Sequence, residues 1–225
     1  MSIEESLNRI KRSIPDNITL VAVSKTKPIE DIKLAYELGQ RDFGENKVQE
    51  LIDKEEVLPN DIRWHFIGNL QTNKVKYLVD KVYLIHSLSS IKLLKKIEDE
   101  FSKKNTTANL LIQINIGKEE SKGGFFREDL DNVISEIEKC NHIKIKGIMA
   151  IIPKGNTEEN RFYFKEMKTI FDNLSSNVYK NICMEILSMG MTSDYNIAIE
   201  EGSNLVRIGE GIFGKRNIVG GLSNV

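Results

Sequence analysis

The chain has 225 residues, a length at which α/β barrels commonly form one unit, so we expect a single domain over residues 1–225. Hydrophobic residues make up 40% and charged residues 29% of the chain, which is typical of a folded globular protein and excludes a disordered one. With 32 lysines and arginines against 33 aspartates and glutamates, the net charge of −1 creates no strong field. We therefore expect no nucleic-acid partner and no membrane partner.

The beginning of the chain carries Glu4 and Glu5 and lacks the apolar run of a signal peptide, and no segment has the length of a membrane span. Cys140 and Cys183 are isolated, without a CxxC pair, and the three histidines are scattered. This spacing predicts two structural thiols in a reducing cytoplasm and no metal site.

An amphipathic helix is predicted over Ile3–Ser13, and strand-length apolar runs then alternate with longer segments of helical periodicity. The predicted strands are 19–25, 42–46, 63–68, 82–87, 109–116, 143–152, 184–189 and 205–208. The predicted helices between them are 28–38, 47–57, 73–80, 90–101, 127–139, 158–174 and 194–201, the last capped by Ser193 or Asp194. This alternation is typical of βα units and favours a (β/α)8 TIM barrel with an extra N-terminal helix.

The same alternation is also compatible with an open, doubly wound sheet, because periodicity does not show whether the sheet closes. A dinucleotide-binding sheet requires a glycine-rich turn directly after its first strand, and this position reads Ser24-Lys25-Thr26-Lys27-Pro28. A glycine-rich string at 209–214 follows the last predicted strand instead. The barrel is therefore the favoured architecture.

Lys25 closes the first predicted strand, at the end of a barrel where active sites form. The strand period of two places Val21, Val23 and Lys25 on one face, so Lys25 points inward if the two valines do. An inward lysine loses hydration, which lowers the pKa of its amine and leaves the amine able to condense with an aldehyde. A lysine at a strand end is otherwise most often a solvated charge.

Small and hydroxyl residues fill the loops after the seventh and eighth predicted strands, at 188–194 and 207–211. Barrel phosphate sites characteristically use these two loops, because glycine permits close approach of backbone N–H groups and hydroxyls add donors. Each glycine alone is an ordinary turn residue. Together, opposite an inward lysine, the two loops predict a phosphate site.

Five segments carry a resemblance to a known family: VAVSKTKP at 21–28, FGEN at 43–46, WHFIGNLQTNK at 64–74, SMGM at 188–191 and VRIG at 206–209. They resemble, in this order, the pyridoxal phosphate homeostasis proteins, the YggS/PROSC family. The resemblance covers nearly the whole chain, from the first strand to Phe213-Gly214.

The resemblance implies a barrel similar to the N-terminal domain of alanine racemase, with pyridoxal 5'-phosphate (PLP) held as a Schiff base on Lys25. It implies phosphate contacts from Thr192 or Ser193 and from the backbone of Gly209 and Glu210, with Arg207 near the pyridine nitrogen. Polar residues at other strand ends complete the expected cofactor site, namely Asn46, His65 and Ser188. It also implies a monomeric, cytoplasmic protein of PLP homeostasis and amino-acid balance, with apo PLP-dependent enzymes as recipients.

Two positions depart from the family pattern. Thr192 stands where serine is usual, so Thr192 and Ser193 both stay candidates for the phosphate contact. Glu210 replaces the usual threonine or serine, and because a carboxylate repels phosphate, we expect its N–H to face the ligand and its side chain to point away.

An arginine at the ring nitrogen cannot stabilise a protonated ring as a carboxylate would, which makes the ring a weaker electron sink. Two-base racemisation also requires a second acid or base, which in alanine racemase comes from a tyrosine of a separate domain, and with the sequence ending at Val225 we expect no such domain. The leading hypothesis is a non-catalytic protein that stores, buffers or delivers PLP. The alternative is a low-activity PLP-dependent amino-acid racemase.

Overall fold

The structure is a computed structural model that describes residues 1–119 and 122–215. Parallel strands form a closed barrel in chain order, and the last strand pairs with the first. The strands are β1 Thr19–Val23, β2 Asp42–Glu45, β3 Arg63–Phe66, β4 Leu84–Leu88, β5 Ala108–Ile114, β6 Ile143–Ala150, β7 Ile182–Ser188 and β8 Leu205–Ile208. Closure excludes the open sheet and confirms the predicted (β/α)8 barrel.

Helices surround the barrel and pack their apolar sides against its outer face. They are α1 Ile3–Ser13, α2 Ile29–Glu37, α3 Val48–Glu55, α4 Ile91–Lys103, α5 Leu130–Glu138, α6 Thr157–Ser175, α7 Tyr195–Glu200 and α8 Glu210–Phe213. Short 3₁₀ helices occupy Thr72–Tyr77 and Arg127–Asp129. Within the described ranges, no helix is long and apolar enough to cross a membrane.

The two faces of each strand lie in different environments. Ala22 and Phe43 point outward into the large apolar core beneath the helices. A methyl group on Gly44 would lie 3.0 Å from Val21 Cγ1 and 3.6 Å from Val23 Cγ2, so both valines face the barrel interior. The inward face predicted for β1 is therefore confirmed.

The first strand ends two residues earlier than predicted. β1 stops at Val23, and the chain then turns, with the N–H of Lys27 donating to the carbonyl of Ser24 at 3.0 Å. Thr26 adopts a positive φ of 63° inside this turn. Lys25 therefore lies in the turn that follows β1 and not in the strand itself.

One predicted helix has a different form. The segment predicted at 73–80 is the 3₁₀ helix Thr72–Tyr77. Val75 is its buried residue, and this apolar face is too small to sustain a longer α-helix.

β6 ends at Ala150, two residues earlier than predicted, because its partner β7 ends at Ser188, opposite Met149. The short helix α8 after β8 was not predicted. The helix predicted at 127–139 starts as the 3₁₀ turn Arg127–Asp129, so α5 begins three residues late, and the remaining boundaries differ from the predicted ones by at most two residues.

Gly147 lies at an irregularity of the barrel, where the register of β6 shifts against both β5 and β7. It has a φ of 151°, and a Cβ there would lie 1.8 Å from the carbonyl oxygen of Ile186. The adjacent backbone leaves no room for a side chain at this position.

We expect Gly147→Ala to lower the free energy of unfolding by about 3 kcal/mol, from steric overlap and backbone strain combined. Gly123→Ala is the control, because its methyl group would lie 3.6 Å from Ser89 Cβ, an ordinary contact. Urea denaturation of both variants measures the difference. Equal stability of the two would refute this account of Gly147.

Candidate functional site

A cavity of about 530 Å³ opens at the carboxyl end of the barrel, within the range of small-molecule sites. The residues around it come from the turns after β1, β2, β3, β6, β7 and β8. They are Val23, Lys25, Lys27, Asn46, Ile67, Ile151, Met191, Thr192, Ser193, Arg207, Gly209, Glu210 and Gly214. The loops after β1, β7 and β8 meet here because these strands are consecutive around the closed barrel.

Most of the predicted site residues line this cavity: Lys25, Asn46, Thr192, Ser193, Arg207, Gly209 and Glu210. Lys25 is half-buried, whereas Glu210 is exposed at the rim. His65 and Ser188 are not among the lining residues, since both are buried in the barrel interior and hydrogen-bond to other polar side chains there. The structure thus separates two residues predicted to bind the cofactor from the cavity wall.

Asn46 presents an acceptor that is unsatisfied within the described residues. Its Oδ1 atom is buried and accepts no hydrogen bond from them, although the residue lines the cavity. An orphaned buried amide oxygen is costly unless a ligand or water satisfies it. This atom therefore supports a polar ligand in the cavity.

The loops after β7 and β8 are tied to each other. The N–H of Arg207 donates to the carbonyl of Gly190 at 3.0 Å, and the N–H of Gly211 donates to Thr192 Oγ1 at 3.2 Å. Gly190 has a φ of 93°, and a methyl group on it would lie 2.6 Å from Ala198 Cβ. The Ser193 hydroxyl is exposed and makes no hydrogen bond to any residue that the structure describes.

Asp194 does not cap the following helix with its side chain as predicted. It occupies the cap position of α7, but its Oδ1 accepts from the N–H of Met191 at 2.7 Å. The carboxylate therefore stabilises the loop after β7.

Arg207 is almost fully buried at the floor of the cavity. Its guanidinium donates from Nη1 to Ser188 Oγ at 2.5 Å and from Nη2 to the carbonyl of Ala150 at 2.9 Å. Burial lowers the pKa of Arg207 to about 10, with the Asp194 carboxylate opposing this effect, so the side chain stays charged at neutral pH. A guanidinium has five N–H groups, which leaves donors for a ligand.

Beneath the Lys25 turn lies a buried ionic cluster centred on Lys54 of α3. Lys54 Nζ donates to Glu45 Oε1 at 2.7 Å, to Glu50 Oε1 at 2.7 Å and to the carbonyl of Ser24 at 2.9 Å. Ser24 Oγ donates to Glu45 Oε1 at 2.6 Å, and the N–H of Thr26 donates to Glu50 Oε1. The cluster therefore fixes the backbone on both sides of Lys25.

Lys27, the other lysine of the cavity wall, is engaged by backbone carbonyls. Its Nζ donates to those of Phe213, Gly214 and Lys215 at 2.8, 3.1 and 3.2 Å. These contacts secure the end of α8 at the cavity.

Sequence reasoning missed several contributors. Lys27, Ile67, Ile151 and Met191 belong to the cavity wall, and Lys54 supports it from below. Lys27 lies two residues after Lys25, and this spacing could have predicted that both lysines lie at the same cavity. Lys54 lies on a helix distant in sequence, and nothing in its neighbourhood indicates a buried ammonium.

Comparisons with known proteins agree with this fold. Residues 1–217 match the family described as alanine racemase, N-terminal domain. The pyridoxal phosphate homeostasis protein of Aquifex aeolicus is 43% identical over 199 residues, which are 88% of this chain and 86% of the relative. That of Escherichia coli K12 is 38% identical over 221 residues, 96% and 92% of the two chains. The chain belongs to the pyridoxal phosphate homeostasis protein family.

Solved structures show the same relationship. PipY of Synechococcus elongatus PCC7942 with PLP bound is 33% identical, with a TM-score of 0.86 over 95% of this chain and 100% of PipY. PipY without PLP gives a TM-score of 0.89 at 32% identity, over the same shares. Alanine racemase of Clostridium difficile 630 has a TM-score of 0.75 at 17% identity, over 96% of this chain and 56% of the racemase, which shows a shared barrel fold alone. The family resemblance and the fold predicted from sequence are confirmed.

We expect Lys54→Met to lower the free energy of unfolding by about 3 kcal/mol, because it leaves Glu45 buried without its cation. Burial already raises the pKa of Glu45 above its ordinary value, against the opposing effects of Lys54 and Ser24. The folded state then binds this proton more tightly than the unfolded chain, so stability falls as the pH rises between the two pKa values. Removing Lys54 raises the pKa of Glu45 further in the folded state, so the pH range over which stability falls extends to higher pH. We therefore expect the loss of stability in Lys54→Met to be larger at pH 8 than at pH 5.

Urea denaturation at both pH values measures this effect. The double variant Lys54→Met/Glu45→Gln should recover part of the loss, whereas Lys96→Met, which breaks a surface pair with Glu100, should change stability little. A deficit that is the same at both pH values, or equal to that of Lys96→Met, would contradict the proposed burial of charge.

Proposed function

We propose that this protein binds PLP in the cavity at the carboxyl end of the barrel, through the amine of Lys25, and stores, buffers or delivers the cofactor. The observation that carries the proposal is the arrangement of the half-buried Lys25 with the buried guanidinium of Arg207 and the linked loops after β7 and β8. Family membership and the PLP-bound structure of PipY support it.

The residues of the cavity fit PLP at each of its functional groups. PLP supplies an aldehyde carbon that condenses reversibly with a primary amine. Lys25 is the candidate amine, since it is half-buried and lines the cavity in the turn after β1, where the family resemblance places the Schiff base. The unsatisfied Oδ1 of Asn46 and the donors of Arg207 offer the polar contacts that a substituted pyridine ring requires.

We assign the phosphate contact to Ser193 and to the backbone of Gly209 and Glu210. Thr192 Oγ1 accepts from Gly211 and so joins the two loops, which restricts the orientation of its hydroxyl, whereas the Ser193 hydroxyl makes no hydrogen bond to the described residues and lines the cavity. Gly209 lies against β1, where a Cβ would be 3.1 Å from the carbonyl of Val23, so a glycine permits close backbone approach.

Arg207 disfavours reactions such as transamination, and it is compatible with racemase-like proton transfer or with holding the cofactor alone. A guanidinium donates to the ring nitrogen but does not accept its proton, which limits electron withdrawal by the ring. Among the described residues that line the cavity, there is no tyrosine or histidine to act as a second acid or base. We therefore favour a non-catalytic role.

The same proposal covers location and partners. Cys140 and Cys183 are both free thiols, which suits a reducing cytoplasm. We propose a cytoplasmic monomer with apo PLP-dependent enzymes as recipients.

Addition of PLP to the purified protein should produce a visible absorption band, and borohydride reduction should fix the cofactor to Lys25, as mapped by peptide mass spectrometry. Lys25→Ala should abolish both, because it removes the primary amine that is proposed to condense with the aldehyde. Lys33→Ala, an exposed lysine of α2, is the control. Labelling at Lys27, or the absence of colour with PLP, would refute the site.

The racemase alternative is tested with the same proteins. Incubation of the PLP-loaded protein with single enantiomers of amino acids, followed by chiral chromatography, should show no interconversion. Interconversion that disappears in Lys25→Ala would overturn the non-catalytic role and leave the binding site intact.

Ser193→Ala should weaken PLP binding about tenfold, because it removes a donor to a charged phosphate. Thr192→Ser keeps the oxygen that accepts from Gly211 and should bind PLP as the wild type does. Equilibrium dialysis measures both affinities. If Ser193→Ala binds normally and Thr192→Val loses binding, the phosphate contact belongs to Thr192 instead.

A further inference from the structure

A line of polar side chains crosses the barrel interior and ends on Arg207. It begins at Asp42, the first residue of β2, and continues through His65 of β3, His86 of β4 and Ser188 of β7. All four side chains are buried. In a barrel interior, apolar side chains usually fill such positions, as Leu84, Leu111 and Met149 do in this barrel.

Each link has hydrogen-bonding distance. Asp42 Oδ1 lies 3.0 Å from His65 Nε2, and His65 Nδ1 lies 2.9 Å from His86 Nε2. His86 Nδ1 lies 3.1 Å from Ser188 Oγ, which accepts from Arg207 Nη1. We call this series, Asp42 to Arg207, the interior chain.

The Asp42 end of the interior chain determines the direction of every bond in it. Arg63 donates from Nε to Asp42 Oδ1 at 2.7 Å and pairs through Nη2 with Oδ2, which keeps the carboxylate ionised, so His65 must donate to it from Nε2. A neutral His65 then accepts at Nδ1, and His86 donates from Nε2. A neutral His86 in turn accepts at Nδ1 from the Ser188 hydroxyl, whose oxygen accepts from Arg207 Nη1. These bonds require the same tautomer, with the proton on Nε2, for both neutral histidines.

The electrostatic surroundings of the interior chain favour the neutral form of both histidines. Burial lowers the pKa of His65, although Asp42 opposes this effect and Arg63 adds to it. The pKa of His86 is lowered well below its ordinary value, first by burial and then by the charges of His65 and Arg207. The groups facing the chain at its two ends are Arg63 and Tyr83 beside His65, and Asp194 near Arg207.

We propose that Asp42, His65 and His86 are positioning residues, which orient the Arg207 guanidinium at the cavity floor through a hydrogen-bond chain of one direction. Ser188 Oγ is the acceptor that fixes Nη1, and the donation of its own proton to His86 fixes the orientation of the hydroxyl. Through this series of bonds, the carboxylate at the opposite end of the barrel orients the guanidinium and the donors that it presents to the ring nitrogen. The orientation of Arg207 toward the cofactor rests on the proposed function, whereas the hydrogen bonds of the interior chain do not depend on it.

Nitrogen NMR of the ligand-free protein, labelled at its histidines, tests the chain directly. Both His65 and His86 should be neutral with the proton on Nε2 between pH 6 and pH 8. The three histidine signals are assigned by His142→Gln and by substitution of the other two. A charged His65 or His86, or a proton on Nδ1 of either, would overturn the proposal.

The coupling to the site is tested with Asp42→Asn. The variant should bind PLP about tenfold more weakly, the effect expected for one lost hydrogen bond to a charged group, and should shift the pH at which the visible band of bound PLP disappears. Asp61→Asn is the matched control, since Asp61 pairs with Arg41 at 2.9 Å outside the barrel interior, and it should leave both readouts unchanged.

His86→Leu provides a second interruption, in the middle of the chain, if Asp42→Asn does not fold by near-ultraviolet circular dichroism. Wild-type affinity and an unchanged pH profile in either folded variant would overturn the positioning role. If the wild type binds no PLP, the proposed function fails, and so does the proposed positioning of Arg207 at the pyridine ring. The histidine tautomers then still show whether the hydrogen bonds of the interior chain are formed.

Discussion

Pairing of β8 with β1 is the constraint on which the site depends. The two strands are in register from Thr19 opposite Leu205 to Ala22 opposite Ile208, and this pairing closes the sheet. Closure places the turn that carries Lys25 beside the loops after β7 and β8. Those loops begin more than 160 residues later in the sequence, and only a closed sheet brings them against the first strand. An open sheet with the same strand order would have β1 and β8 at opposite edges, with Lys25 far from the loops after β7 and β8.

Buried charge is the second organising feature. Arg207, Asp42 and the pair of Lys54 with Glu45 are all removed from water, and each is compensated by hydrogen bonds. Such groups stabilise a fold little compared with apolar packing. Any rearrangement that removes one partner leaves a buried charge uncompensated, which costs free energy, so these groups favour a single arrangement of their side chains. The barrel therefore holds its polar groups around the cavity in fixed positions, as a protein that binds a small charged ligand requires.

The chemistry of Lys25 depends on its neighbours as much as on its own position. Three lysines lie at or under the cavity: Lys25 lines it, Lys27 holds the end of α8, and Lys54 holds the Lys25 turn from below. The amine proposed to carry the cofactor is thus held in place by the hydrogen bonds of Lys54 to the turn that contains it. A family of PLP homeostasis proteins can thus share its barrel with racemases, because the fold supplies the position and the surrounding groups decide the use.

The sequence by itself determined the eight βα units, the inward face of β1 and most residues of the cavity wall, because strand parity and strand ends are local properties of the chain. Lys25, Asn46, Arg207 and the residues of the loop after β7 were identified in this way. Tertiary structure alone decided that the sheet closes, that Thr192 accepts a hydrogen bond from the loop after β8, and that His65 and Ser188 lie in the barrel interior. It also brought Asp42, His86 and Lys54 into the hydrogen-bond networks next to the cavity. Hydrogen bonds between distant strands and helices leave no periodic trace in a sequence.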